Sequence, residues 1–472
     1  MTGPGALLRR SALAGLPAEC RPLIEPGAAG PGVVHLGLGA FFRAHQAVYT
    51  EEAMASAGGD WGIVAVAPRS RAVFDALRAQ DLMFAVASTA AHHTDVRVVA
   101  ALTGVLYAAG DPGAVVALLA DPRIRVVTLT LTEKAYVAAG EPGVITGLLA
   151  RGLLARARAD AGPLAVVSCD NLPGNGGRLR DLVSQAVRAA GTREQEWIAG
   201  NVAFPSTTVD RIVPAVTPGT LDLVRARLGV HDLAAVQTEP YRQWIVEDAF
   251  PHGRPAWEHA GAVLTDDTGP YDQLKLRTLN GLHSSLAYLG ALAGRATIAE
   301  TLALPGAREF AELLLAEEIL PTLTPPAGVD PAAYGQSVLD RFGNPAIRHR
   351  TLQVATDGSQ KLPPRIVRTV LDRRAQGRPT PRAALVVAAW MRFVQGTADD
   401  GRPLPLDDPL AGRIRAALAD ARPGPAGVVE ALLGLRAVFP AAFAHDTRLR
   451  ELIVAAFADL TRHGAAATLA GL

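Results

Sequence analysis

An amine, an amide and an imidazole occur close together in residues 271–288, YDQLKLRTLNGLHSSLAY. The apolar residues of this segment recur at helical spacing, so we predict one amphipathic helix. At ~100° per residue, four polar side chains fall within an arc of roughly 140° on its other face: Asp272, Lys275, Asn280 and His283. The amide and the imidazole can orient a reacting oxygen. The lysine can transfer a proton when burial lowers its pKa. A solvated polar face is the alternative interpretation.

Bulk properties restrict the class of protein that can carry this segment. The 472 residues allow two or more domains, and 46 basic against 45 acidic residues leave a net charge of +1. This balance argues against nucleic acid or an anionic membrane as the main partner. Cys20 and Cys169 are too few for a disulfide framework or a Cys-rich zinc site. We therefore expect a cytoplasmic protein without a metal.

A glycine turn near the N-terminus has the composition of a phosphate-binding loop. In VVHLGLGAFF an apolar run precedes Gly37 and Gly39, and a helical pattern begins at Ala40. Backbone N–H groups at such a strand–turn–helix junction can hold a phosphate, and Phe41 is included among the candidates. The usual third glycine is missing, since Phe42 stands there. A tight turn without a ligand is the alternative interpretation.

Further polar residues follow the ends of the next predicted strands. The second strand, WGIVAVA, ends near Arg69 without the acid that often binds ribose. Arg69 could meet a 2′-phosphate, so NADP remains possible beside NAD, or it is an ordinary surface charge. Thr132 and Glu133 follow RVVTLTL, and Asn171 follows the strand of residues 164–168. The Asn-Gly cluster after that strand also fits a simple turn.

The order of these elements predicts the fold class. Strands alternating with helices indicate a mostly parallel α/β sheet with right-handed crossovers. From about residue 267 the pattern becomes helical with almost no strand signal, and residues 349–365 interrupt the helices with a turn and a basic cluster. We predict a Rossmann-type NAD-binding domain in residues 1–267. A mainly α-helical substrate and catalytic domain is predicted in residues 268–472.

Six stretches together carry a resemblance to a known family: HLGLGAFFRAHQAVY, VTLTLTEKAY, SCDNLPGNG, FPSTTVDRIVP, KLRTLNGLHSSLAYLG and RFGNPAIRHRTLQVATDGSQKLP. The chain resembles the polyol-specific long-chain dehydrogenase/reductase family, also called the mannitol dehydrogenase family. The last stretch is most similar to the fructuronate reductase (D-mannonate oxidoreductase) branch.

The resemblance implies a role for each polar residue of the opening segment. Lys275 would be the general acid–base, while Asn171 and Asn280 would stabilise the oxyanion. His283 would position the substrate. Asp272 stands at the position where a glutamate gates the proton path in mannitol dehydrogenase. The aspartate side chain is one methylene shorter than that glutamate.

The resemblance also suggests how a substrate is held. Asp210 and Lys361 match positions that line the family's substrate pocket, and Gln353 replaces an arginine that contacts the sugar in mannitol dehydrogenase. The carboxylate of a sugar acid needs a nearby cation, for which Lys361, Arg365 and Arg348 are candidates.

These observations predict an NAD-dependent oxidoreductase that interconverts a 2-keto sugar or sugar acid and its alcohol, with D-mannonate and D-fructuronate favoured. Mannitol 2-dehydrogenase or another polyol dehydrogenase is the alternative. A non-catalytic dinucleotide-sensing protein is the alternative from another class. The expected partner is a small sugar or sugar acid, and the expected assembly is a monomer or a weak homo-oligomer.

Overall fold

The computed structural model describes residues 5–90, 93–131 and 143–472. The chain forms two compact units, residues 1–269 and residues 270–472. The N-terminal unit is α/β and the C-terminal unit is helical, which confirms the predicted fold class. In the described ranges, no helix combines the length and the apolar character that crossing a membrane requires.

The described part of the N-terminal unit contains these strands: β1 (Pro31–Leu36), β2 (Gly62–Ala67), β3 (Phe84–Thr89), β4 (Thr94–Val99), β5 (Leu102–Tyr107), β6 (Val126–Leu129), β7 (Leu164–Ser168), β8 (Val202–Ala203), β9 (Thr207–Asp210), β10 (Val236–Thr238), β11 (Gln243–Glu247) and β12 (Val263–Thr265). Six of them form one parallel sheet in the order β5-β2-β1-β6-β7-β8. Counted within this sheet, the order is 3-2-1-4-5-6, as in dinucleotide-binding folds. The order reverses between β1 and β6, where such sheets bind their ligands.

Helices cover the parallel sheet, and its strands are therefore apolar on both faces. Val33 packs into the core on one face, whereas Val34 packs into the core on the other. Among its described residues, the α-helices of this unit are Ala40–Ala44, Gln46–Ala57, Ala72–Ala79, Pro112–Leu119, Val144–Ala159, Asn175–Ala186, Thr192–Asn201 and Pro218–Leu228. Short 3₁₀ helices lie at Arg10–Gly15, Ala18–Cys20 and Trp257–Ala260.

Two small sheets were not predicted from the sequence. Their strand orders are β10-β3-β4 and β12-β11-β9. The neighbouring strands β4 and β5 belong to different sheets, β4 to a small sheet and β5 to the edge of the parallel sheet. Several of these strands have only three to five residues, too few for a clear alternating pattern.

The C-terminal unit is built around one helix, Leu279–Leu292, whose residues are all buried. It packs on Pro381–Phe393, which packs on Thr447–His463. The other α-helices are Gly269–Arg277, Ile298–Leu302, Ala307–Leu313, Pro331–Phe342, Thr351–Val354, Gly358–Leu362, Arg368–Ala375, Ala411–Ala419, Pro425–Leu433, Ala441–Ala444 and Ala465–Ala470. Two π-helical turns, Leu314–Ile319 and Pro363–Val367, and one 3₁₀ turn, Leu320–Thr322, complete the unit.

The prediction of a single helix over residues 271–288 is wrong in one detail. The segment forms two helices, Gly269–Arg277 and Leu279–Leu292, which meet at Thr278, where ψ is −78°. The Thr278 hydroxyl donates to the Leu274 carbonyl, and such back-bonding by threonine bends a helix. The backbone bonds from Thr278 N to Leu274 O and from Leu282 N to Thr278 O continue across the junction, at 3.0 and 2.9 Å. The polar residues on either side therefore stay on adjacent turns.

Residues 349–365 are also more helical than predicted. They contain Thr351–Val354, Gly358–Leu362 and the start of the π-helical turn. The predicted turn is present only at Asp357, whose φ of +54° places it in the left-handed region. Helical propensity in such short pieces is too weak to be read from a sequence.

A carboxyl group lies in the core of the N-terminal unit. Glu51 in the helix Gln46–Ala57 is 0% exposed, and its Oε1 accepts a hydrogen bond from Ala100 N at 2.7 Å. Burial raises the pKa of Glu51 from 4.5 to about 7. The folded protein therefore binds a proton that the unfolded chain releases, and this contribution to stability is lost as the pH rises through about 7.

We predict that Glu51→Gln changes the free energy of unfolding more favourably at about pH 8.5 than at about pH 5, by up to about 3 kcal/mol. Glutamine keeps the acceptor for Ala100 N without a buried charge. Glu52→Gln is the matched control: burial of Glu52 is outweighed by hydrogen bonds from Arg242 and Arg97, which lower its pKa. That control should destabilise the protein at both pH values. Urea unfolding at the two pH values measures the difference, and equal effects of Glu51→Gln at both would contradict the assignment.

Candidate active site

The glycine turn after β1 has one position that only glycine can occupy. Gly37 has φ +130°, and a Cβ there would lie 2.7 Å from Thr130 Oγ1 and 3.0 Å from the Thr130 carbonyl oxygen. Gly39 has φ −72°, caps the helix Ala40–Ala44, and has open space where a Cβ would stand. Ala40 and Phe41 are partly buried. Gly37 thus shapes the turn, whereas Gly39 leaves room beside the backbone.

The missing third glycine has a structural explanation. Phe42 is fully buried and stacks on the His35 ring, with centroids 3.7 Å apart and planes inclined by 9°. The His35 ring nitrogens bond to Thr128 Oγ1 at 2.8 Å and Thr130 Oγ1 at 3.1 Å. Burial holds the pKa of His35 well below its usual value, so the ring is neutral. His35 was not among the predicted site residues, although a histidine inside an apolar strand just before a glycine turn could have indicated it.

Asp170 connects the ends of β6 and β7. Its Oδ1 accepts from Leu131 N at 2.5 Å and its Oδ2 accepts from Ser168 Oγ at 3.1 Å. The Asn175 side chain donates to the Asp170 carbonyl at 2.9 Å, which fixes the following loop. Asn171 is exposed at this carboxyl edge of the sheet. The structure therefore places Asn171 at the edge where Gly37 also lies.

The other predicted cofactor residues are less closely gathered. Arg69 is exposed after β2, and its carbonyl accepts from the Tyr107 hydroxyl at 3.2 Å. Thr132 and Glu133 lie outside the described residues. Cys169 is buried, and burial raises the pKa of its thiol well above the usual range, so it is a core residue rather than a nucleophile.

Asp210, a predicted substrate residue, is 5% exposed at the end of β9 and pairs with Gln243 of β11. The neighbouring His45 bonds to the Gln243 carbonyl at 2.9 Å through Nε2. Burial lowers the pKa of His45 to about 3, against which the Asp210 charge raises it. Asp210 is thus fixed in a sheet and lies close to a neutral imidazole.

The polar face of the opening segment is buried in the C-terminal unit. Lys275, Asn280 and His283 are 8%, 7% and 8% exposed, and Asp272 is partly buried. Burying an amine and an imidazole costs free energy that a solvated face does not incur. The structure therefore excludes the interpretation of this face as a solvated surface.

His283 lies among cations and aromatic rings. Its ring stacks on Phe342 at 4.7 Å between centroids and meets His349 edge to face at 4.4 Å. Burial first, and then nearby groups that can carry positive charge, lower the pKa of His283 well below its usual value. These groups are the His349 ring and three cations, Arg365, Lys361 and Arg341. The His283 imidazole is therefore neutral near pH 7.

Arg365 is the predicted cation that contacts the same helical turn. It is 8% exposed, its Nη1 donates to Ser284 Oγ at 2.9 Å, and Nη1 lies 3.5 Å from the Asn280 carbonyl oxygen. Since Ser284 lies one turn after Asn280 and directly follows His283, the guanidinium lies against the turn that carries both.

The remaining predicted substrate residues differ in position. Lys361 donates through Nζ to the Val354 carbonyl at 3.3 Å and to Thr356 Oγ1 at 3.2 Å. Arg348 and Gln353 have exposed side chains. The structure thus brings Lys361 and Arg365 towards His283, and leaves the other two at the surface.

The hydrogen bonds that hold the helix carrying Lys361 were not predicted from the sequence. Asp408 accepts from Ser359 N at 2.7 Å and from Ser359 Oγ at 2.5 Å. The backbone adds a bond from Asp357 N to Asp407 O at 2.9 Å. These partners are far apart in the sequence, and no local pattern could have shown the contact. Within the described ranges, no group of three or more His, Cys, Asp and Glu side chains is arranged to hold a metal ion.

Comparison with known proteins identifies the family. A family model described as the mannitol dehydrogenase Rossmann domain matches residues 31–259, and one described as the mannitol dehydrogenase C-terminal domain matches residues 267–460. The chain belongs to the mannitol dehydrogenase family. Members of this family are NAD-dependent dehydrogenases that act on CH–OH groups, which confirms the predicted enzyme class and cofactor.

Individual members of the mannitol dehydrogenase family are similar over nearly the whole chain. D-mannonate oxidoreductase of Escherichia coli is 37% identical, covering 93% of this chain and 95% of the relative. Mannitol 2-dehydrogenase of Pyrenophora tritici-repentis is 33% identical, covering 93% and 81%. The structure of Pseudomonas fluorescens mannitol 2-dehydrogenase in ternary complex with NAD and D-mannitol has a TM-score of 0.86 at 33% identity, covering 98% of both chains.

We predict that Gly37→Ala lowers stability by about 2 kcal/mol or more, because the added methyl meets Thr130 and φ is positive. NADH affinity should fall with it, by roughly tenfold or more. Gly39→Ala is the comparison: its φ and surroundings accommodate a methyl, so thermal unfolding should be unchanged. Loss of NADH affinity in Gly39→Ala alone would indicate that the cofactor passes this position. Wild-type stability of Gly37→Ala would contradict the role given to that residue.

Proposed function

We propose that the protein interconverts a 2-keto sugar acid and its alcohol with NAD, and that D-fructuronate and D-mannonate are the favoured pair. The observation that carries the proposal is the set of cations near His283 (Arg365, Lys361 and Arg341), above all Arg365, whose guanidinium lies against the Asn280–Ser284 turn. A guanidinium binds a carboxylate through strong, charge-assisted hydrogen bonds, which a neutral polyol cannot form. The similarity to D-mannonate oxidoreductase supports the same substrate class.

Lys275 is proposed as the general acid–base. NAD, when bound, accepts or supplies the hydride at substrate C2. In the direction of reduction the substrate oxygen becomes an alkoxide, and Lys275 donates the proton that neutralises it; in oxidation it takes that proton back. Asp272, one turn earlier and partly buried, is proposed to exchange this proton with solvent.

Two amides and one imidazole are proposed to hold the reacting oxygen. Asn280 and Asn171 would present N–H donors to the developing negative charge, where fixed donors are most effective. His283 is neutral, so one ring nitrogen donates and the other accepts. It can therefore orient a hydroxyl or the substrate carbonyl without adding charge.

The remaining assignments also form part of the proposal. Arg365 would bind the carboxylate, with Lys361 beside it, and Asp210, Gln353 and Arg348 complete the predicted substrate set. Cofactor binding is assigned to the glycine turn and to the residues after β2 and β6: Gly37, Gly39, Ala40, Phe41, Arg69, Thr132 and Glu133.

Interconversion of mannitol and fructose is the second candidate. It is favoured by the similarity to the mannitol 2-dehydrogenase solved with NAD and D-mannitol. A non-catalytic dinucleotide sensor is disfavoured, because a sensor gains nothing from burying the Lys275 amine in the segment that also carries Asn280 and His283.

We predict that Lys275→Ala binds NADH normally yet reduces the ketone several orders of magnitude more slowly, about 10³-fold or more. Lys275→Arg is the matched control, since it keeps the charge but holds its proton too tightly to transfer it. It should be inactive as well. Steady-state kinetics and NADH titration separate the two steps. Turnover at the wild-type rate in Lys275→Ala would contradict the mechanism.

Arg365→Gln should raise KM for a 2-keto sugar acid by about 10- to 100-fold, the effect of losing a charged hydrogen bond. Its effect on a neutral ketose should be within about threefold. Arg368→Gln is the control: Arg368 directly follows the π-helical turn, and its side chain is 65% exposed and paired with Asp372. Equal losses on acidic and neutral substrates in Arg365→Gln would remove the support for a carboxylate site.

A further inference from the structure

Two imidazoles in the C-terminal unit leave buried nitrogens unsatisfied next to each other. His283 and His349 meet with ring centroids 4.4 Å apart and planes at 64°. Nε2 of His283 and Nδ1 of His349 are buried, and neither has a hydrogen-bond partner in the described part of the chain. Buried polar atoms are normally paired, so an adjacent pair of exceptions needs an explanation.

The position of His349 is fixed by its backbone. The His349 carbonyl accepts from Ile298 N at 3.0 Å, and Thr351 N donates to the Ala296 carbonyl at 3.0 Å. An antiparallel bridge between Thr297 and Arg350 lies between these bonds. The fold therefore holds the His349 ring against His283 without using its Nδ1.

The charge state of the pair determines what it can bind. Burial, followed by the charge of Lys361, lowers the pKa of His349 to about 4, and His283 is likewise neutral. A neutral imidazole has one donor and one acceptor nitrogen. A hydroxyl group also donates and accepts, so it can pair with either ring in either tautomer. A carboxylate only accepts, and the proposed function assigns it to the Arg365 guanidinium, which lies against the helical turn of His283.

We propose that His349 is a further substrate-binding residue, which with His283 binds hydroxyl groups on the carbon chain of the substrate. This inference rests on the proposed function and narrows its substrate class. The site would take a polyhydroxylated 2-keto acid and discriminate against short 2-keto acids that lack those hydroxyls. The carboxylate and the hydroxyls would be bound by different residues, Arg365 and the imidazole pair.

The test is His349→Phe, which keeps a flat ring and removes both nitrogens. We expect kcat/KM for the preferred 2-keto sugar to fall by about 10- to 100-fold, mostly through KM. NADH affinity should be unchanged, and thermal stability should be unchanged or higher, because an unsatisfied buried nitrogen is lost. A merely structural role for His349 would lower stability and activity together. His349→Gln, which retains a donor and an acceptor, should recover part of the activity.

Deoxy analogues of the substrate identify the contact. The loss caused by His349→Phe should shrink to within about threefold for the analogue that lacks the bound hydroxyl. His463→Phe, at an exposed position on the helix Thr447–His463, is the control and should behave as wild type. Wild-type kinetics in His349→Phe, or an equal loss on every analogue, would overturn the inference. Neutral ketoses carry the same hydroxyls, so an enzyme that reduces only those would refute the sugar-acid proposal while still testing His349.

Discussion

Proton transfer and anion recognition in the proposed site both depend on the desolvation of polar groups on one buried helical turn. Leu279–Leu292 is buried along its whole length, yet it carries Asn280, His283 and Ser284. Burial keeps His283 neutral, and the Arg365 guanidinium is held against the same turn by Ser284. In such surroundings hydrogen bonds and charges act more strongly than in water, which is what proton transfer and anion recognition require.

The N-terminal unit meets a separate constraint, imposed by backbone geometry rather than charge. The parallel sheet reverses its strand order between β1 and β6, and Gly37 turns the chain there with a positive φ against Thr130. His35 and Phe42 fill the space behind the turn, where the usual glycine pattern would bring helix and strand closer. The turn can therefore serve as a phosphate-binding loop although one of the usual three glycines is missing.

Much of this could be predicted from local pattern. Apolar runs located four of the six parallel strands, β1, β2, β6 and β7, and periodicity indicated that the chain is helical from about residue 267. The spacing of Lys275, Asn280 and His283 identified the polar face. The break at Thr278 was missed because it depends on one side-chain bond to Leu274. The contact of His349 with His283 was missed because it joins distant parts of the chain through backbone pairing near Thr297. Periodicity reports which face of a helix is polar, and contacts between elements require the three-dimensional structure.

The most direct test of the central claim is the substrate preference of the wild-type enzyme. NADH oxidation would be measured with D-fructuronate, D-tagaturonate, D-fructose and D-xylulose under identical conditions. A site built around Arg365 predicts that kcat/KM for the better uronate exceeds that for either neutral ketose by about 100-fold or more. Efficient reduction of fructose without activity on either uronate would contradict the account.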